Sequence, residues 1–516
     1  MSGLILNIDN SHFFASREVG EAEGDVAPFI GQYGGTQVSS IFLCVNSMKP
    51  SFDSKTIEPI WVRYNRAGAG GGGTGADSGE DGWGVSNWLL NAKALCSGGR
   101  DVFQEWIALC RGHGISPGIS CRMNDVHNVD DEENIFHCRF WRDNPEFRRA
   151  TYRFEGWTDR AFDYGREEVR RHMMAFVREV IGRYDMDCLE LDWMRFGFHF
   201  KPGFEGEGRG LLTGFTREVR EALDEAGRQR GRRIRLSARV ASRPETAFGL
   251  GMDAAEWARE GLVDELVVTP FFATSEADMP VEIWKQLLRG TGVKLSAGLE
   301  VMLRAYPDSK LVQTNSLETV RGAAWAYLSS GADDVYLFNY FDKMTCMDDM
   351  TGYPALLREC GSMETMRGKA RRHVVTYSDT WAPGEPQGYL LPAAITQNGW
   401  KGFRVNVGRV EGGERALAVI GIASDTASAA ENAACDPTSA APAAPAASAA
   451  HAAPAVYVNG FRCDLAESCA AVAPPKPDGQ IAAYRIPEGA LHGGRNLVEL
   501  TGADCAVNWV EICVNK

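Results

Sequence analysis

The chain has 516 residues, with 54 Lys plus Arg against 68 Asp plus Glu and a formal charge of -14. That balance excludes the basic face a nucleic-acid binder needs, and no apolar run reaches the roughly 18 residues of a membrane span. Apolar residues make up 44%, enough to build a large barrel and an accessory domain.

The N-terminus, Met1 to Asn10, lacks a basic n-region and a cleavage site and reads as a first strand. Thirteen cysteines are scattered without a CxxC pair, which predicts reduced core thiols and a cytoplasmic protein. From there to about residue 345 a strand-then-helix rhythm repeats. Strands are predicted at Leu4–Ile8, Ser40–Val45, Ser116–Cys121, Cys188–Asp192, Arg235–Val240, Glu265–Thr269, Lys294–Leu299 and Asp334–Phe338. Helical periodicity falls at Asp101–Gly112, Glu167–Tyr184, Leu212–Gly227, Ala254–Gly261, Val281–Gly290 and Leu317–Ser330. Eight strands with helical crossovers predict an α/β fold, a (β/α)8 TIM barrel over residues 1–345. A doubly wound open sheet is the alternative, weakened by the lack of GxGxxG after the first strand.

The glycine run Gly68–Gly75 has no Gly-Lys-Ser/Thr after it and reads as a flexible surface loop, not a phosphate cradle. Residues 346–372 read as a connecting segment. Residues 373–516 change character, with short strands at Gly402–Val407, Arg415–Ile420, Ala455–Val458, Gln480–Ile486, Asn496–Leu500 and Val507–Val514. They predict an accessory β-sandwich. Ala423–Ala455, rich in Ala, Pro and Ser, reads as a disordered insertion within it.

Barrel sites form at the carboxyl ends of the strands. Those ends carry Asp9, Asn10 and His12; Arg122, Asn124, Asp125 and His127; Glu190, Asp192, Trp193 and Arg195; Arg239; Glu300; and Asn339, Tyr340 and Asp342. In Cys188–Asp192 the side chains alternate, so Leu189 and Leu191 face one way and Glu190 and Asp192 the other. Two acids on one face of a buried strand are costly unless that face opens onto a site. Asp192 is the leading catalytic candidate, as nucleophile or charge stabiliser. Glu300, across the mouth, is its leading acid/base partner, with Asp278 and Asp125 as substitutes. Asn10, His12, Arg122, Asn124, Asp125, His127, Glu190, Trp193, Arg195, Arg239, Asn339 and Tyr340 are candidate substrate-binding residues. HxH and HExxH are absent, so no metal or other cofactor is expected.

Leu189-Glu-Leu-Asp-Trp-Met-Arg-Phe196 resembles the Leu-Asp-aromatic-x-Arg-aromatic motif of glycosyl-hydrolase-like barrel proteins of the family 10-like group. Arg122-Met-Asn-Asp-Val-His127, Ser237–Val240, Trp257–Asp264 and Val267–Pro270 fit the same group, and the strand-four aspartate is more distantly similar to that of the α-galactosidase clan. The resemblance implies a glycosidase with Asp192 as the strand-four catalytic aspartate. Two departures leave the acid open. The α-galactosidase clan puts it after strand six, where this chain reads Thr269-Pro-Phe-Phe272, and the clan with glutamates on strands four and seven would need Glu at position 192. Val456–Gly460, Tyr484–Pro487 and Gly494–Leu500 resemble the galactose-binding-like jelly rolls appended to glycosidases. The expectation is therefore a glycoside hydrolase or related enzyme acting on small oligosaccharides or glycosides, with a carbohydrate partner, no nucleic acid and no membrane. The rival expectations are a barrel that binds carbohydrate without cleaving it and a metal-dependent lyase or isomerase. The sugar, the linkage and the oligomeric state are not readable from the sequence.

Overall fold

A computed structural model describes residues 3–62, 85–154, 156–309, 312–340, 347, 349–423, 453–466 and 479–515. The glycine run, Asp342 and almost all of the Ala/Pro-rich segment lie outside these residues.

Eight parallel strands close into a barrel: β1 (Leu4–Ile8), β2 (Val38–Cys44), β3 (Ser116–Arg122), β4 (Cys188–Asp192), β5 (Arg235–Ala241), β6 (Glu265–Thr269), β7 (Lys294–Leu299) and β8 (Asp334–Phe338). Each pairs with its neighbours in sequence, and β8 closes on β1 through Asn7 opposite Phe338. The TIM barrel expected from the strand rhythm is present. The outward faces of the strands pack on the helices in one large core. Inside the barrel, Ile5, Phe42, Cys188, Val267, Tyr336 and Phe338 form a small apolar cluster. Polar side chains occupy the other inward positions: Asn7, Ser120, Glu190, Ser237, Glu265 and Ser296 are all buried.

Two differences from the sequence reading have clear causes. The helix after β4 runs from Glu205 to Arg230, longer than Leu212–Gly227. Glycines at 206, 208 and 210 hide its first two turns. Gly208 is needed there, because a Cβ would sit 2.4 Å from the Phe200 ring. The second difference is a strand at Arg371–Val374, whose charged sequence gives no apolar alternation. Its arginines are buried because each has a partner. Arg371 donates to Glu414 at 2.8 Å and lies 4.3 Å from the Trp325 ring, and Arg372 donates to Glu511 at 3.0 Å. Gly322 on the helix Leu317–Ser329 lets this strand approach, since a Cβ there would lie 2.0 Å from the Arg372 carbonyl oxygen.

Beyond Arg371 the strands are antiparallel. Arg371–Val374, Cys505–Val514, Ala416–Ala423 and Gly479–Arg485 form one half of the sheet, with Ala393–Ile395 also paired to Cys505–Val514. Phe461–Leu465, Ala455–Val458, Arg495–Thr501 and Trp400–Asn406 form the other. A short pairing of Asp464 and Leu465 with Arg485 and Tyr484 joins them. Both halves feed one apolar core, with Ile420, Tyr484, Trp509 and Ile512 from the first and Phe403, Val405, Val456 and Val498 from the second. This is the sandwich-like arrangement the sequence predicted.

Candidate active site at the barrel mouth

The inward-pointing ends of β3, β4, β5 and β7 bring Arg122, Asp192, Arg239 and Glu300 together. Asp192 and Arg239 are opposite each other in the β4–β5 register. Arg239 Nη1 donates to Asp192 Oδ2 at 2.7 Å, and Arg239 Nη2 lies 3.5 Å from Glu300 Oε1. One guanidinium thus joins the ends of two strands, and all three side chains are buried. Its own ring support is Phe338 of β8, at 3.9 Å.

The two carboxyl groups are satisfied very differently. Asp192 Oδ1 accepts the backbone N–H groups of Met194 and Arg195, at 3.0 and 2.8 Å. That tight turn ends at Phe196, whose φ of 66° is left-handed and costly for an aromatic residue. Glu300 keeps both carboxyl oxygens without a hydrogen-bond donor among the described residues. Its backbone carbonyl is held instead, by Ser275 Oγ at 2.7 Å, Asn315 Nδ2 at 2.8 Å and Tyr340 Oη at 3.0 Å. Burial pushes the Glu300 carboxyl up to about 8; Asp379 and Asp192 add to this, while Arg239 and Arg195 oppose it. Such a group is a proton donor at neutral pH.

Glu190 lies one inward position deeper. Asn7 Nδ2 and Tyr336 Oη donate to its Oε1, at 3.2 and 2.8 Å. Burial first, and the Asp192 charge second, push it up to about 8 as well.

A second chain of charges runs along the mouth from β1 to the loop after β4. Arg122 bonds Asp9 and, at 3.1 Å, Asp125. Asp125 accepts from the backbone N–H and Nδ1 of His127, at 3.1 and 2.6 Å, and His127 Nε2 meets Arg195 Nη2 at 2.7 Å. Burial would raise both aspartates. Arg122, the Ser11 donors and Arg195 overrule it for Asp9, which falls to about 2, and His127 and the two arginines hold Asp125 well below the usual carboxylate range. The His127 side chain keeps 34% of its surface exposed, so the chain reaches solvent there. Arg195 lies within 6 Å of the Phe196, Phe271, Phe272 and Phe338 rings.

Other predicted residues sit elsewhere. Trp193, just past the end of β4, is packed edge-on against Tyr164 and His199 in the connecting loops and Phe215 of the helix Glu205–Arg230. The same alternation that turns Asp192 inward turns Trp193 out. The Asn124 amide is taken up by backbone: it accepts from Phe162 N at 2.8 Å and donates to the Phe162 and Phe198 carbonyls. His12 is buried in the short helix His12–Ala15, 6.1 Å from the Phe29 ring, and Asn10 donates to Ser51 at 3.2 Å. Asn339 adopts a φ of 58° and bonds through its backbone to Asn7. Asp278, a substitute acid by sequence, is paired with Arg404 and Arg495 of the C-terminal domain and braces the two domains. Ser275, Asn315 and Asp379 escaped the sequence reading because they lie in loops with no strand-end signal. Tyr336 and Asn7 had one, since both alternate inward on predicted strands.

A cavity of about 20 Å³ lies between the helix Leu317–Ser329 and the C-terminal strands, lined by Ser275, Asn315, His373 and Asn406 among others. It has room for one water and not for a sugar.

No family model matches the chain, and no curated protein matches it. Solved structures similar to it include α-L-fucosidase isoenzyme 2 from Paenibacillus thiaminolyticus, at 13% identity and a TM-score of 0.43, covering 72% of this chain and 51% of that one. The chain therefore spans about half the length of that fucosidase. The glycoside hydrolase domain of PgaB (BpsB) from Bordetella bronchiseptica matches at 10% identity and a TM-score of 0.41, covering 70% and 99%. A glycoside hydrolase family 18 N-acetylglucosaminidase from Paenibacillus barengoltzii matches at 12% and 0.37, covering 69% and 99%. These neighbours are glycoside hydrolases. Likenesses this loose say nothing of the chemistry here, and the barrel assignment rests on the strand order.

Proposed function

We propose that the barrel mouth is the site of a glycosidase or related carbohydrate-active enzyme acting on small glycosides or oligosaccharides, with Glu300 as the acid and Asp192 as nucleophile or charge stabiliser. The observation that carries this reading is the contrast between two buried carboxyls on one arginine. A protonated Glu300 can donate to a leaving-group oxygen, while Asp192, held by Arg239 and two N–H groups, faces positive charge developing at an anomeric carbon. Arg122, Asp125, His127 and Arg195 would bind sugar hydroxyls, and Glu190 would brace the barrel beneath Asp192. The described cysteines are all free, in keeping with a reducing, cytoplasmic setting. No described helix is long and apolar enough to cross a membrane.

Assay on a panel of aryl glycosides tests the assignment. Glu300→Gln should lower kcat by about 10²–10⁴-fold, and wild-type kcat/KM should fall as pH rises through about 8. Asp192→Asn should lose turnover with the fold intact, shown by an unchanged circular dichroism spectrum. Normal turnover in either folded variant rules out the role given to that residue.

A second reading is a barrel that binds glycan without cleaving it. The three N–H donors on Asp192 favour it, because they leave only about one of a carboxylate's roughly four lone-pair sites for attack. Calorimetric binding of an oligosaccharide that the wild-type protein leaves uncleaved would establish this reading over the first. A metal-dependent lyase or isomerase gains nothing from the donor set: among the described residues no three His, Cys, Asp or Glu side chains are grouped to hold an ion.

A further inference from the structure

The loop after β6 is held from outside the barrel. Asp379 lies in the segment between the strands Arg371–Val374 and Ala393–Ile395. Its Oδ1 accepts Phe271 N at 2.8 Å, and its Oδ2 accepts Phe272 N at 2.8 Å and Ala273 N at 2.7 Å. Three successive N–H groups on one carboxylate form an anion nest, here filled by the protein's own side chain. The segment makes two more such contacts. Thr376 Oγ1 accepts Ala277 N at 2.9 Å, and Glu385 accepts the Thr246 hydroxyl, beyond β5, at 2.9 Å.

The loop so held serves the mouth at two points. Phe271 and Phe272 lie 5.6 and 5.2 Å from the Arg195 guanidinium. Ser275 donates to the Glu300 carbonyl. Of the charges around Glu300, Arg239 comes from β5, Arg195 from the loop after β4, Asp192 from β4 and Asp379 from the inter-domain segment.

We propose that Asp379 is a positioning residue of the barrel site: its carboxylate holds the backbone of Phe271 to Ala273, two residues before the Ser275 that grips the Glu300 carbonyl, and so fixes the loop after β6 and brings a negative charge to the Glu300 side of the mouth. The proposal rests on Glu300 being the acid. The C-terminal domain then contributes to the barrel's chemistry through one side chain, and is more than a support. Like Asp192, Asp379 opposes ionisation of the buried Glu300. A fixed carboxylate with no ion pair among the described residues can do this, because its charge is spread onto backbone dipoles and not cancelled by a second full charge.

The full-length protein, labelled with carbon-13 at its glutamate carboxyls, tests this by NMR titration, with the Glu300 signal assigned by its absence from Glu300→Gln. Asp379→Asn keeps the shape and one acceptor oxygen but removes the charge, and the Glu300 midpoint should move to lower pH. Thr376→Val loosens the same segment without touching a charge and should leave the midpoint in place. An unmoved midpoint in Asp379→Asn, or an equal movement in Thr376→Val, overturns the proposal. The titration needs no substrate, so it is decided separately from the acid assignment, which the turnover of Glu300→Gln decides. Where turnover is measured, Asp379→Asn should also move the alkaline limb of kcat/KM to lower pH.

Discussion

Asp192 and Glu300 end two strands of one barrel, are equally buried and touch the same guanidinium, yet their environments are opposite. Asp192 is fixed by its carboxyl oxygens, which take three N–H donors. Glu300 is fixed by its backbone carbonyl, which takes three side-chain donors, and its carboxyl oxygens are left without one among the described residues. The difference shows how a barrel can hold two equivalent carboxyls in opposite ways. The strands supply equivalent positions, and the loops decide which end of each residue is tied down.

Removing the shared arginine breaks the comparison most severely. Arg239→Ala leaves two buried carboxyls without their cation and should destabilise the fold by about 3–5 kcal/mol, read from urea unfolding at pH 7. A loss well under 1 kcal/mol would mean that water already enters the mouth and screens the pair.

The pH dependence of stability gives an effect of at most similar size, and a signed one. Glu300 is raised from an ordinary 4.5 to about 8, so its contribution is complete below pH 4.5 and is lost as pH rises through 8. In that window the folded state binds more protons than the unfolded one, and stability falls with pH, by up to about 1.4 kcal/mol per pH unit for one such group. Glu300→Gln should flatten the decline between those limits, as measured by urea midpoints at pH 5 and pH 8. Glu190, raised to the same value, should keep part of it. Asp9 has the opposite sign: lowered from 3.8 to about 2, it contributes above pH 3.8 and loses that contribution as pH falls through 2.

The finest test trims one donor from the Glu300 carbonyl. Tyr340→Phe should cost about 1 kcal/mol of stability and, if the carbonyl clasp aims the carboxyl, lower kcat while leaving KM nearly unchanged. Equal changes in both would assign Tyr340 to substrate binding.

Much of this arrangement was legible in the chain. The eight strands were readable because parallel barrel strands are short apolar runs between helical stretches, and all eight predicted positions overlap the observed strands. The inward pair Glu190 and Asp192 followed from alternation alone, and the same rule, applied one residue further, turns Trp193 out of the site. Less visible were elements whose hydrophobic signal was masked. The glycines at 206, 208 and 210 concealed two helical turns, and the buried Arg371 and Arg372 made a core strand look like a linker.

The sequence by itself determined the barrel, the sandwich-like domain and the strand-four acids, because these depend on local periodicity. Only the tertiary structure decided how each carboxyl is held, because that depends on burial and on partners far apart in the chain. Arg239 binds Asp192 from 47 residues away, and Asp379 reaches the loop beside Glu300 from 106 to 108 residues beyond it. No spacing rule connects such residues; closure of the barrel and the return of the chain across its mouth bring them together.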